Sequence, residues 1–138
     1  MSEYQKLRKI GIWMDHTQAH LIEYDDPIIT TENVVITTRF KNDGNKNTDQ
    51  NESMIHNREQ QDQAKYYKKL SDKIIDYDMV LLFGPTDAKA ELLHVMQADH
   101  HFDKIKFEVR STDKMTENQE NAYVKDYFST YKVEESQN

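Results

Sequence analysis

The spacing of apolar residues changes along the chain, and the changes delimit the predicted elements. Residues 10–14 are apolar on both alternating faces, which is typical of a strand covered on both sides and therefore central in its sheet. After four polar residues a second strand is predicted over 19–24, and the β-branched run at 33–40 predicts a third. Between them, Asp25-Asp26-Pro27 has the composition of a turn. The first part of the chain is therefore predicted to be an antiparallel meander of three strands.

A long helix and a buried strand are predicted next. From near Asn57 onward, apolar residues recur three and four positions apart, which indicates one buried helical face. That face is predicted to contain Ala64, Tyr67, Leu70, Ile74 and Tyr77. The continuous apolar run at 79–83 ends at Gly84-Pro85, as expected for a parallel strand buried on both faces.

The last third of the chain predicts helix, strand and helix. Thr86 or Asp87 can cap the second helix, which follows Pro85. Its predicted inward residues are Ala88, Leu92, Val95 and Met96. Residues 105–110 alternate apolar and charged side chains, as in an edge strand whose charges prevent pairing with another chain. A capping-box spacing at 116–119 begins the last helix, with Tyr123, Val124, Tyr127, Phe128 and Tyr131 along one side.

These elements predict one α/β domain over residues 1–138. Strand-helix-strand crossovers are right-handed and consecutive strands tend to be neighbours, so the simplest sheet is mixed, five-stranded and ordered 3-2-1-4-5, with three helices. This is a ribonuclease H-like arrangement, which supports many unrelated functions. We expect a core over about 8–131, a mobile polar loop over 41–61 and a frayed tail over 134–138.

Composition narrows the classes of function. The chain has no cysteine, which excludes disulfides, thiolate metal sites and a cysteine nucleophile. No stretch is long and apolar enough to span a bilayer, and the polar N-terminus has no signal-peptide apolar region, so we expect a cytoplasmic protein without a membrane partner. The net charge of -7 opposes unspecific binding to phosphate backbones. Binding to nucleic acid would need a local basic patch.

Two groups of basic residues could form such a patch. One lies in the first predicted helix and comprises Lys65, Lys68, Lys69 and Lys73. The other lies on the fifth predicted strand and comprises Lys104, Lys106 and Arg110. The alternative for both groups is a solvated helix or strand face.

Asp15, which follows the central strand, is the first candidate for chemistry. Ribonuclease H-like nucleases hold a divalent cation near such an Asp, but that chemistry needs further carboxylates at the same place. Glu59, Asp62 and Asp87 are the substitutes that this chain offers, while the fourth strand ends without a carboxylate. The alternative is that Asp15 orders the hairpin by accepting hydrogen bonds from backbone amides.

The histidines are the second candidate. His16 and His20 flank a predicted turn, and His100 and His101 adjoin two aspartates without a third spaced ligand. Solvent exposure is the alternative, and we predict no metal and no cofactor.

Three segments together resemble a known family. They are Ile10-Gly-Ile-Trp-Met-Asp-His-Thr-Gln-Ala19, Leu82-Phe-Gly-Pro-Thr-Asp-Ala-Lys-Ala-Glu-Leu92 and Ser111-Thr-Asp-Lys-Met-Thr-Glu-Asn-Gln119. They resemble small bacterial "translational machinery" proteins, which are similar to the middle domain of class 1 release factors and of Pelota. The match runs over about 8–129.

The resemblance implies a role in translation and points to one loop. In release factors, the loop after the third strand carries Gly-Gly-Gln, which promotes peptidyl-tRNA hydrolysis. The corresponding stretch here contains Gly44 and Gln50 but no Gly-Gly-Gln. Pelota also lacks that tripeptide and works on stalled ribosomes, so the closer analogy is a non-hydrolytic module that binds the ribosome or tRNA.

The leading hypothesis is therefore a non-catalytic binding module. Its phosphate contacts are predicted to come from Lys46, Arg58, Lys65, Lys68 and Lys69. A divalent-metal nuclease built around Asp15 is one alternative, and an adaptor whose polar loop folds onto a protein partner is another. The sequence leaves the oligomeric state open.

Overall fold

The computed structural model describes the backbone of residues 7–36 and 52–136, and the side chains of residues 7–36 and 57–130. In chain order the strands are β1 (Lys9–Met14), β2 (Gln18–Asp25), β3 (Ile28–Val35), β4 (Met79–Gly84) and β5 (Lys106–Ser111). The helices are α1 (Glu52–Ile74), α2 (Ala88–Gln97) and α3 (Glu117–Ser136), and a short 3-10 helix spans His100–Phe102. None of the described helices is long and apolar enough to cross a membrane.

The five strands form one mixed sheet in the order β3-β2-β1-β4-β5. β1 is central: it runs antiparallel to β2 and parallel to β4, and every one of its residues is buried. β2 pairs with β3 antiparallel, and β4 pairs with β5 parallel. The predicted α/β fold class is confirmed, with a mixed five-stranded sheet in the order 3-2-1-4-5 and three helices.

Alternate residues of the central strands supply two separate cores. On one face, Ile12 and Leu82 pack with Leu70 of α1 and Leu92 of α2. On the other face, a second cluster contains Trp13 and Phe83 from the sheet and Val124 and Phe128 from α3. The sheet is thus the middle layer between α1 and α2 on one side and α3 on the other.

Two glycines permit close approaches around β1. A Cβ on Gly11 would lie well under 3.0 Å from the Val124 side chain, so α3 packs directly on the backbone of β1. Gly84 has a φ of 145°, which favours glycine, and a Cβ there would meet the carbonyl oxygen of Met14. The absence of two side chains therefore sets how tightly α3 and the end of β4 pack against β1.

The third strand and the first helix begin earlier than predicted. β3 starts at Ile28, directly after a turn formed by Asp26 and Pro27, because Ile28 already pairs with Asp25. The prediction for 37–40 falls outside the described residues. α1 starts at Glu52, so 52–61 of the predicted polar loop is helical, while 41–51 lies outside the described residues.

Some predicted helix faces are also corrected. On α1 the predicted Tyr67, Leu70 and Ile74 are buried, whereas Ala64 is exposed and Tyr66 is buried in addition. Val95 of α2 is 48% exposed rather than buried. α3 continues to Ser136, past the predicted start of the frayed tail. The capping box of α3 is confirmed by hydrogen bonds between Thr116 and Gln119 in both directions, which satisfy exposed amides at the helix start.

Candidate functional site

Asp15 orders the hairpin between β1 and β2. Its Oδ1 atom accepts hydrogen bonds from the backbone N–H of Thr17 at 2.8 Å, the Thr17 hydroxyl at 3.0 Å and the backbone N–H of Gln18 at 3.0 Å. The Asp15 N–H donates to the Gln18 carbonyl oxygen at 3.0 Å and closes the turn. A carboxylate used in this way holds a tight turn in one conformation, which is the structural alternative considered for this residue.

Helix α1 holds the same hairpin from the side. The Tyr66 hydroxyl donates to the Asp15 carbonyl oxygen at 2.9 Å, and the Gln63 amide donates to the His16 carbonyl oxygen at 3.1 Å. Burial raises the pKa of Tyr66 and keeps its hydroxyl protonated. These bonds satisfy two hairpin carbonyl groups from one face of α1.

A second polar contact joins the hairpin to α2. Glu91 Oε1 accepts a hydrogen bond from the Tyr67 hydroxyl at 2.6 Å and lies 3.1 Å from His16 Nε2. The bond from Tyr67 lowers the pKa of Glu91, while burial and the neighbouring Glu91 raise the pKa of Tyr67. The carboxylate is therefore ionised and the phenol neutral at neutral pH. The hairpin, α1 and α2 meet at this carboxylate.

His20 lies on the opposite face of the sheet, so the two hairpin histidines do not converge. The His20 ring stacks on Trp13 with 5.0 Å between ring centroids, and its Nδ1 is 2.7 Å from Glu120 Oε1. The Glu120 side chain is only 2% exposed, and burial raises the pKa of this carboxyl group, with the bond to His20 opposing the shift. The indole N–H of Trp13 is buried without a hydrogen-bond partner in the described part of the chain.

The carboxylates proposed to join Asp15 do not assemble around it. No group of three or more His, Asp or Glu side chains that could hold a metal occurs within the described ranges. Glu59 and Asp87 are exposed, whereas Asp62 is buried on α1, with Oδ2 lacking a hydrogen-bond partner among the described atoms. Since Asp15 Oδ1 already accepts three hydrogen bonds, the geometry supports its turn-forming role.

The adjacent histidines of the 3-10 helix are exposed. His101 Nδ1 lies 2.7 Å from Asp99, and His100 Nδ1 lies 3.3 Å from Asp103. Each ring thus contacts a different carboxylate, and the pair forms no shared site.

The basic residues predicted to contact phosphates lie on α1. Lys65, Lys68 and Lys69 are exposed and Arg58 is half-buried, while Lys68 pairs with Asp72 at 3.0 Å. Lys46 and the loop residues Gly44 and Gln50 lie outside the described residues.

The second basic group occupies the edge strand β5 and the turn before it. Lys104 and Lys106 are exposed. Arg110 pairs with Glu108 at 2.7 Å and stacks over the Tyr127 ring at 5.4 Å.

Two cavities lie away from the hairpin, where the parallel strands begin. One, of about 300 Å³, is lined by residues that include Arg8, Glu23 and Tyr77. There the Tyr77 hydroxyl donates to Glu23 at 2.9 Å, and burial raises the pKa of Tyr77 to about 12. The other, of about 220 Å³, lies between the starts of β4 and β5 and the Tyr127–Phe128 pair of α3. Each includes one lysine from the two predicted basic groups, Lys73 in the first cavity and Lys106 in the second.

Sequence reasoning missed the histidine–carboxylate contacts that join His16 to α2 and His20 to α3. His20 and Glu120 are 100 positions apart, and His16 and Glu91 are 75 apart, so no local pattern joins them. One signal was present: Glu120 precedes Val124 by four positions, which places it on the inward face of α3.

Solved structures of two Pelota proteins share this fold. A Pelota protein from Thermoplasma acidophilum superposes with a TM-score of 0.55 at 11% identity, covering 85% of this chain and 31% of its own. Pelota from Archaeoglobus fulgidus superposes with a TM-score of 0.56 at 8% identity, and the match covers 95% of this chain and 36% of that Pelota chain. For the archaeal translation termination factor aRF1 the TM-score is 0.49 at 12% identity, and the match covers 94% of this chain and 41% of the aRF1 chain.

The likeness to Pelota confirms the resemblance at the level of the fold. This chain spans about a third of the length of the two Pelota proteins, so it corresponds to one part of each. No protein-family model matches the sequence, and no curated protein does.

Proposed function

We propose that this chain is a translation-associated binding module without hydrolytic activity, which contacts the ribosome or tRNA. The observation that carries the proposal is the Pelota fold over 85–95% of the chain. The three sequence segments that resemble the same family supply its second support. Fold alone assigns no activity, so the proposal needs a surface that can be tested.

The absence of hydrolysis follows from glycine usage. The chain contains only three glycines, at 11, 44 and 84, so no two are adjacent and a Gly-Gly-Gln tripeptide is excluded. Gly11 and Gly84 are both required by close packing around β1. The stretch that corresponds to the release-factor loop therefore contains a single glycine, so it lacks the paired glycines beside which release factors carry their Gln.

Helix α1 supplies the binding surface. Arg58, Lys65 and Lys69 are separated by seven and four positions, which places them along one side of the helix. Lys65 and Lys69 are exposed, whereas the charge of Lys68 is partly balanced by Asp72. With a net charge of -7 for the whole chain, contact with phosphate has to be local, and this stripe, together with Lys46, provides it.

Sedimentation and binding experiments test the proposal. The tagged protein is expected to sediment with ribosomal particles in growing, stalled or starved cells, and a protein that stays at the top of the gradient in all three conditions refutes the proposal. With purified ribosomes and tRNA, Lys65→Glu/Lys69→Glu is expected to weaken binding. The slope of log Kd against the logarithm of the salt concentration should decrease by about 1.5, because each lost phosphate contact removes about 0.7–0.9 from that slope.

Lys104→Glu/Lys106→Glu is the matched control. It makes the same change of net charge on two exposed lysines at the other edge of the sheet. Unchanged binding by this control supports α1 as the contact surface, and loss of binding in the control alone contradicts that placement.

A further inference from the structure

Among residues 7–36 and 52–136, no strand pairs with the outer edge of β3. β3 is the last strand on its side of the sheet, and within the described residues only β2 pairs with it. Ile36 N donates to the Thr17 carbonyl oxygen at 2.8 Å, which marks 17 and 36 as a hydrogen-bonded pair. Because bonded and non-bonded pairs alternate in an antiparallel ladder, residues 28, 30, 32 and 34 bond to β2. The N–H and C=O groups of 29, 31, 33 and 35 therefore face outward.

The side chains of β3 do little to prevent another strand from pairing with this edge. Six of its eight residues are β-branched, and Glu32 is its one charged residue, already paired with Lys73 at 2.8 Å. Ile28 is 61% and Val35 58% exposed, the highest values among the large apolar side chains described. Natural edge strands are usually protected by lysine, proline or bulges, and β5 at the opposite edge alternates Lys106, Glu108 and Arg110. β3 has the composition of a strand that is paired.

We propose that β3 pairs antiparallel with β3 of a second copy of this chain, about a two-fold axis at Thr31. This register joins the outward-facing backbone groups of 29, 31 and 33 in the two strands and aligns 28–34 of one copy with 34–28 of the other. Thr31 then lies opposite Thr31 of the second copy, and Ile28 lies opposite Val34. Pairs of threonines and of β-branched residues are favourable across strands. The two five-stranded sheets become continuous.

The position of Glu32 selects this register over the next one. With the axis at Thr31, Glu32 faces Thr30 of the second copy, and the two carboxylates do not meet. With the axis at 32, the two Glu32 side chains would lie directly opposite each other, which is destabilising. A two-fold axis makes the same strand serve as both surfaces, so one self-complementary sequence is sufficient for the interface.

The mass in solution gives the first test. Light scattering over a range of concentrations is expected to approach twice the 16.4 kDa of one chain. Thr31→Pro removes an outward N–H and is expected to return the mass to that of one chain with the β2–β3 ladder intact, as proline is tolerated on edges that face solvent. Its matched control, Thr30→Pro, removes an N–H that bonds to β2 and should lower the monomer's stability. A mass of one chain at every concentration overturns the proposal, whether or not another protein occupies the edge.

Cross-linking tests the register and does not depend on tolerance of proline. The chain has no cysteine, so Thr31→Cys introduces a single thiol in each copy. Residues opposite each other in a bonded pair have Cα atoms about 5.5 Å apart, which a disulfide can span. Mild oxidation is therefore expected to give covalent dimers.

Asn33→Cys is the matched control on the same face of β3. Its two thiols would be four positions out of register, about 13 Å along the strands, and should not link. Linking of Asn33→Cys alone, or equal linking of both variants, overturns the proposed register. Since neither measurement involves the ribosome, the result is independent of the proposed binding function.

Discussion

Substitutions at Asp15 separate a structural role from a catalytic one. Asp15→Ala removes the oxygen that accepts from Thr17 N, Thr17 Oγ1 and Gln18 N, at 2.8–3.0 Å. Asp15→Asn keeps an oxygen of the same reach while removing the negative charge. If the residue acts through the turn, the two variants should differ in stability.

The expected magnitude follows from the three hydrogen bonds. A typical hydrogen bond contributes about 0.5–1.5 kcal/mol, and solvent can replace part of these because the turn is at the surface. Asp15→Ala is therefore expected to lower the free energy of unfolding by about 2 kcal/mol, and Asp15→Asn by about 1 kcal/mol or less. With an m value of about 2 kcal/mol/M, the first change moves the urea midpoint by about 1 M.

Urea unfolding followed by circular dichroism measures both variants, and a nuclease assay with Mg²⁺ or Mn²⁺ accompanies it. Equal losses of stability in Asp15→Asn and Asp15→Ala would refute the reasoning, because the retained oxygen would then contribute nothing. Metal-dependent cleavage by the wild type that disappears in a stably folded Asp15→Asn would instead assign Asp15 to catalysis.

Two further predictions concern the α3 side of the sheet. Gly11→Ala should lower the free energy of unfolding by about 1–3 kcal/mol because it forces a methyl group against Val124. Val124→Ala should lower it by about 2 kcal/mol because it removes two buried methyl groups. In the double variant, urea unfolding should show a loss about 1–2 kcal/mol smaller than the sum of the two, and strict additivity would contradict the contact. Burial raises the pKa of Glu120, so its contribution to stability is fully present below about pH 4.5 and is lost as pH rises through the folded pKa. The stability of Glu120→Gln relative to the wild type should therefore increase as the pH rises, in unfolding curves measured from pH 4 to 8. A difference in stability that stays constant over this range would contradict the raised pKa of Glu120.

The predictable part of the fold came from patterns confined to single elements. The apolar runs that became β1 and β4 identify strands buried on both faces without reference to anything distant. The start of β3 was predicted too late because the prediction rested on the β-branched run at 33–40, whereas Ile28 already pairs with Asp25 directly after the turn. The predicted face of α1 omitted Tyr66, although positions three and four residues along a helix are themselves adjacent, so Tyr66 and Tyr67 can both lie on the buried face.

The candidate site was less predictable because its contacts are long-range. The hairpin sequence gave both possible roles of Asp15, but the choice depended on which atoms surround its carboxylate in three dimensions. The pairing of His20 with Glu120 required knowing that α3 packs on the same face as Trp13. Hydrogen bonds of that kind are fixed by topology, and a single sequence read by its periodicities carries no record of them.

The stacking of Trp13 on His20 has a practical consequence. Trp13 is the single tryptophan of the chain, 5% exposed, and belongs to the cluster that α3 completes. Its indole ring lies 5.0 Å from an imidazole whose Nδ1 contacts Glu120. Light emitted by one fluorophore therefore reports on both the docking of the last helix and the stacking of the neighbouring imidazole, so the molecule contains its own optical probe without any label.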